Sequence, residues 1–157
     1  MKILFICSAN ICRSALAEVI LKKKLQQEGI TGIEVESAGI HNYEGEPRDE
    51  VMALYARNAG YKLEGTAKHV TQAMTDTSDL IICMEHFHVV EMQKRAPYAR
   101  WNNIHTFNEI CFNEQTALVD PSGDTDHMYH YVFEKIQEGC GILASKLSNI
   151  KNKNIPQ

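Results

Sequence analysis

The sequence predicts an α/β fold, a single domain of three layers with helices on both faces of a four-stranded parallel sheet. Three observations predict it. Four short apolar runs, Ile3-Leu4-Phe5-Ile6, Ile33-Glu34-Val35, Leu80-Ile81-Ile82-Cys83 and Ile104-His105-Thr106-Phe107, lack the clean alternation of a one-sided sheet. Longer helical patterns lie between them, giving the order β-α-β-α-β-α-β-α, which calls for right-handed crossovers. The length, 157 residues, suits one domain able to bury roughly 70% of its unfolded surface without staples.

The elements follow in order. The first helix is expected from about Ser14 to Glu28, with Leu16, Val19, Ile20, Leu21 and Leu25 as its apolar stripe and Gly29 at its close. The second is expected from Pro47, suited to a first helical turn, to Ala59, burying Val51, Leu54 and Tyr55 before Gly60. A third covers about Glu85 to Lys94 and stops before Pro97. In the last, Tyr129, Val132, Phe133, Ile136, Cys140, Leu143 and Leu147 recur at helical spacing. The domain is assigned to residues 1–150, and 151–157 is expected to fray as a tail. No repeat, linker or low-complexity stretch interrupts the chain.

Composition narrows the function classes. The chain is 44% hydrophobic and 23% charged, which argues against disorder. Sixteen basic and twenty acidic residues leave a formal charge of −4, so a nucleic-acid partner has little support. The run from Lys2 to Ile6 is too short for a secretory core, and no apolar run reaches membrane-spanning length. Five scattered cysteines, an odd number, fit a reducing cytoplasm with free thiols. In such sheets ligands bind beyond the carboxyl ends of the strands.

The loop after the first strand reads Cys7-Ser8-Ala9-Asn10-Ile11-Cys12-Arg13-Ser14. Loop amides and a helix N-terminus make an anion site. Arg13 offers a planar fork to two oxygens of a tetrahedral dianion. The same positive surroundings favour a Cys7 thiolate, placed for in-line attack on a cradled phosphoryl group. Ser14 can donate a hydrogen bond to the sulfur, and Asn10 tolerates left-handed backbone in a tight loop. Cys-x5-Arg alone fits a buried structural cysteine equally well. Its place between an N-terminal strand and a helix, with Ser14 next, selects a phosphate-binding loop.

Cys7-Ser8-Ala9-Asn10-Ile11-Cys12-Arg13-Ser14-Ala15-Leu16-Ala17-Glu18 resembles the signature of the low-molecular-weight protein tyrosine phosphatases. Ser37-Ala38-Gly39, Gly45-Glu46-Pro47, Ser78-Asp79-Leu80 and Asp120-Pro121 follow in that family's order and approximate spacing. The resemblance implies a four-stranded parallel sheet flanked by helices and hydrolysis of phosphotyrosine through a phosphocysteine intermediate, with Cys7, Arg13 and Asp120 as catalytic residues. A phosphotyrosine protein is the partner and inorganic phosphate the product that this activity implies; no cofactor and no metal are expected, and the chain is expected to be a monomer or weak homodimer without membrane insertion. Ala9 stands where the family usually has Gly, and Ala15 where it has Pro; neither change removes a catalytic group.

Asp120-Pro121 is an ordinary turn pair by itself. The resemblance makes Asp120 the acid that protonates the leaving oxygen and then the base for water. Asp124 and Asp126 read as helix-start residues. Ile11 and Tyr43 are expected to line the substrate pocket, and Ser122 stands where a second aromatic often follows Asp-Pro. A related branch acts on phosphoarginine and shares Met84-x-His86-x-His88, but carries threonine at the position of Ile11; apolar Ile11 favours an aryl phosphate. Cys12 is implied as a redox partner that captures oxidised Cys7.

Other candidates carry less. His86 and His88 point about 200° apart on a helix, a poor pair of metal ligands. Lys68 and His69 lie near a segment that supports the loop in relatives, with the usual residues changed. Cys83 is read as core, Cys111 and Cys140 carry no chemical signal, and Trp101 is read as partial core. An arsenate reductase would need two further cysteines close together, which Cys83 and Cys111 do not supply. A phosphoprotein-binding module without turnover would not need both Cys7 and Asp120.

Overall fold

The computed structural model describes residues 1–153. Four parallel strands, β1 (Lys2–Cys7), β2 (Glu34–Gly39), β3 (Leu80–Cys83) and β4 (Ile104–Thr106), form one sheet in the order β2-β1-β3-β4. Strand β1 is central, so both its faces are covered and its apolar residues need no alternation. Ile3, Phe5 and Cys7 face a core shared with helices α1 (Arg13–Gln27), α2 (Glu50–Asn58), α5 (Phe107–Phe112) and α6 (Asp126–Lys153). Leu4 and Ile6 face the opposite layer, with α3 (Gln72–Thr77) and α4 (His86–Arg95). The three-layer α/β expectation holds.

Several boundaries differ from the sequence reading. Strand β2 runs on to Gly39, because it pairs with β1 residue by residue from Lys2 opposite Glu34 to Cys7 opposite Gly39. Its end, Ser37-Ala38-Gly39, has weak strand propensity and is held by the ladder. Phe107 leaves β4 and starts α5, where Thr106 Oγ1 accepts from Glu109 N at 3.1 Å as the cap.

Helix α2 begins at Glu50 and not at Pro47. Asp49 caps it, Oδ1 accepting from Met52 N at 2.9 Å, while Pro47 bridges to Thr66. This start turns Met52 and Ala56 inward and leaves Val51 and Leu54, expected in the core, 41% and 51% exposed. Helix α1 ends as expected, with Gly29 at φ +69°. The predicted face of α6 is buried from Tyr129 to Leu147. That helix continues through Lys153, so the first residues of the expected frayed tail are helical. Residues 154–157 of that tail lie outside the described residues. Helices α3 and α5, and a 3₁₀ helix over Tyr98–Asn103, are too short to leave a periodic signal.

Candidate active site

The carboxyl ends of β1, β2 and β3 bring the predicted residues together. Cys7 is the last residue of β1 and is buried. Its Sγ lies 2.9 Å from Ser14 Oγ and accepts the Asn10 N–H at 3.2 Å. Ser14 Oγ itself accepts from Asn10 Nδ2 at 2.9 Å. The serine proton is therefore free to point at sulfur, where it stabilises a thiolate.

Asn10 organises the loop. Its φ of +61° places it in the left-handed region, which Asn tolerates better than most residues. Nδ2 also donates to Ser37 Oγ at 2.9 Å. Oδ1 accepts from Lys68 N at 2.9 Å and from Arg48 Nη1 at 3.1 Å, and Arg48 Nη1 also reaches the Asn10 carbonyl. The support from the Lys68 segment thus comes through its backbone, and His69 Nε2 instead contacts the Ile40 carbonyl at 3.2 Å. Ala9 does not adopt positive φ, which explains why Ala is admissible there. Gly39 is the sterically constrained position: a Cβ there would lie 2.7 Å from the Ala9 carbonyl carbon, so the backbone would have to shift.

Arg13 opens α1 and is only 2% exposed. Its Nη1 donates to Glu85 Oε2 at 2.9 Å and to the Leu118 carbonyl at 2.7 Å. These bonds offset the cost of burying the cation and use the donors of one arm. Nε and Nη2 remain for two oxygens of a tetrahedral anion. Nη2 lies 3.9 Å from Asp120 Oδ2. Asp120 Oδ1 accepts from Ser122 N at 3.0 Å, and its side chain is half exposed.

A cleft of about 200 Å³ is lined by Cys7, Ala9, Ile11, Cys12, Arg13, Tyr43, Asp120 and Ser122. It brings the expected nucleophile, anion holder, acid and pocket residues to one place. A more voluminous cleft lined by Lys2, Glu34 and Asp79 lies at the opposite end of the strands and contains no nucleophile, so chemistry and not size selects the site. Cys12 is buried, and its thiol is pushed well up by desolvation and by Asp49, Cys7 and Asp120.

Glu85 is a functional candidate that the sequence does not single out, and His88, which the sequence marks only as a poor metal ligand and as part of the Met84-x-His86-x-His88 pattern, gains a different role from the structure. His88 is fully buried whereas His86 is exposed, so the two do not face a common point. His88 Nδ1 accepts from Glu85 N at 3.0 Å, and Nε2 lies 3.0 Å from Ser8 Oγ. Burial and the nearby Arg13 guanidinium pull the imidazole down to about 4. The available signal was positional: Glu85 lies just past the carboxyl end of β3, where such sheets bind ligands.

Comparison with known proteins agrees with this geometry. A family model described as low molecular weight phosphotyrosine protein phosphatase matches residues 2–154. The low molecular weight protein-tyrosine-phosphatase Etp of Escherichia coli is 33% identical over 147 residues, covering 93% of this chain and 94% of that protein. A protein-arginine-phosphatase of Bacillus subtilis is 26% identical over 151 residues, covering 94% and 97%. Among solved structures, a protein tyrosine phosphatase from Entamoeba histolytica superposes with a TM-score of 0.87 at 28% identity, covering 96% of this chain and 99% of that one.

Proposed function

The chain belongs to the low molecular weight phosphotyrosine protein phosphatase family, and from that premise we propose that it hydrolyses phosphotyrosine in proteins through a phosphocysteine formed on Cys7. The observation that carries the reading is the single cleft shared by Cys7, Arg13 and Asp120. The free arm of Arg13 and the loop amides hold the phosphoryl oxygens. Cys7 Sγ attacks phosphorus in line, the bond to the aryl oxygen breaks, and Asp120 gives that oxygen its proton. Water then attacks phosphorus, Asp120 takes a proton from it, the P–S bond breaks, and inorganic phosphate leaves. Ser14 steadies the sulfur when it is negative, before attack and after departure.

Ile11 and Tyr43 supply the apolar walls for an aryl ring, while Ser122 leaves the remaining wall small. This lining favours phosphotyrosine over phosphoarginine, the substrate class of the Bacillus subtilis relative. Five reduced cysteines agree with a cytoplasmic setting. Among the described residues no helix is long and apolar enough to cross a membrane.

Steady-state hydrolysis of phosphotyrosine and phosphoarginine peptides, without added metal, tests the proposal. Turnover of phosphotyrosine is expected, Cys7→Ser should abolish it, and Asp120→Ala should lower it about 10²–10⁴-fold. Activity retained in Cys7→Ser removes the covalent mechanism, and faster turnover of the phosphoarginine peptide transfers the assignment to that substrate.

A further inference from the structure

We propose that His88 is a positioning residue of the phosphate loop, its Nε2–H holding Ser8 so that the Ser8–Ala9 peptide keeps the orientation the cradle needs. The inference rests on the phosphatase reading of the same site. Ser8 directly follows Cys7. Its carbonyl accepts from His41 N at 2.9 Å, and its hydroxyl lies 3.0 Å from His88 Nε2. Gripping Ser8 through both carbonyl and side chain fixes the peptide plane that leads into Ala9, a residue lining the cleft beside Cys7.

The chemistry at both ring nitrogens fixes the tautomer. Nδ1 faces the Glu85 N–H at 3.0 Å, so it must be an acceptor. The ring proton then sits on Nε2 and points at Ser8 Oγ. A charged imidazole would set two N–H donors against each other at Glu85. His88 also lies in the first turn of α4, where the helix N-terminus disfavours a cation.

The same turn reaches the other end of the loop, because Glu85 Oε2 binds Arg13 at 2.9 Å. One turn of α4 thus holds the phosphate loop at its second residue and at its arginine. A His88 that merely filled the core would need no donor aimed at the residue after the nucleophile.

The test uses aryl phosphate turnover by wild type, Ser8→Ala, His88→Ala, the double variant, His88→Gln and His88→Asn, with thermal unfolding to verify folding. Ser8→Ala and His88→Ala should each lower kcat about tenfold with little change in KM, the size of one net hydrogen bond. The double variant should lose no more than His88→Ala alone, and not the product, because Ser8→Ala removes a contact that His88→Ala has already deleted. Gln at 88 can carry a donor to the place of Nε2 and should restore most of the rate, whereas the shorter Asn should not. Ser8→Ala leaves the core intact, so the test survives if His88→Ala does not fold. Wild-type rates in Ser8→Ala, multiplicative losses in the double variant, or equal rescue by Asn and Gln overturn the inference. Wild type without turnover overturns the phosphatase reading as well, and so is told apart from a failure of the His88 proposal alone.

Discussion

Two thiols in one loop have been given different chemistry by their neighbours. Cys7 receives an N–H and a hydroxyl at its sulfur, while desolvation and nearby anionic groups push Cys12 up and hold it as a thiol. Cys12 is thereby kept from competing as a nucleophile and remains a wall of the cleft. Peroxide should oxidise Cys7 to a sulfenic acid, which Cys12 is expected to capture as a disulfide with loss of water. A thiol reductant should then restore activity in wild type but not in Cys12→Ser; equal recovery in both would remove Cys12 from this role. Cys7, Arg13, Ser14 and Asp120 were legible because the first three share one short segment and Asp120 precedes a proline in a family pattern. Glu85, Arg48 and His88 were not, because their partners lie 72, 38 and 80 residues away. Sequence spacing carries no trace of such a pairing.

Elements with long, uniform signals were read correctly. The face of α6 repeats over many turns, and β1 and β3 are buried on both sides. The misread parts are those that tertiary contacts decide. Strand β2 extends through poor strand formers because β1 supplies its partner, and α2 turns about its axis because Asp49 both caps it and accepts from Tyr129 Oη at 2.7 Å. Where β2 ends, its backbone presses against the loop at Gly39. Gly39→Ala would place a methyl against backbone at 2.7 Å, a contact that no side-chain rotation relieves. The variant is expected to fold with lowered stability and to lose at least about tenfold in aryl phosphate turnover, as a displaced cradle would. Unchanged kinetics would mean that the loop tolerates a shift there.

At the scale of the whole molecule, acidity is felt through His88. Its folded value of about 4 lies below the unfolded 6.5, so between these values the unfolded chain binds more protons. The contribution of His88 is therefore fully present above about pH 6.5 and is lost as pH drops toward 4, by up to ~1.4 kcal/mol per pH unit. Urea titrations across that window should show the decline in wild type and a flatter curve in His88→Gln; parallel curves would remove His88 as the cause. The segment carrying Asp120 has a further property. Leu118, buried two residues before it, donates its N–H to the Met84 carbonyl at 3.0 Å, and its own carbonyl is the one that Arg13 holds at 2.7 Å. Arg13 and the segment that carries Asp120 are thus registered against the same peptide. Under the proposed function, damage to Arg13 therefore reaches Asp120 too, and genetic changes at the two positions should be epistatic, because each shares the Leu118 peptide with the other.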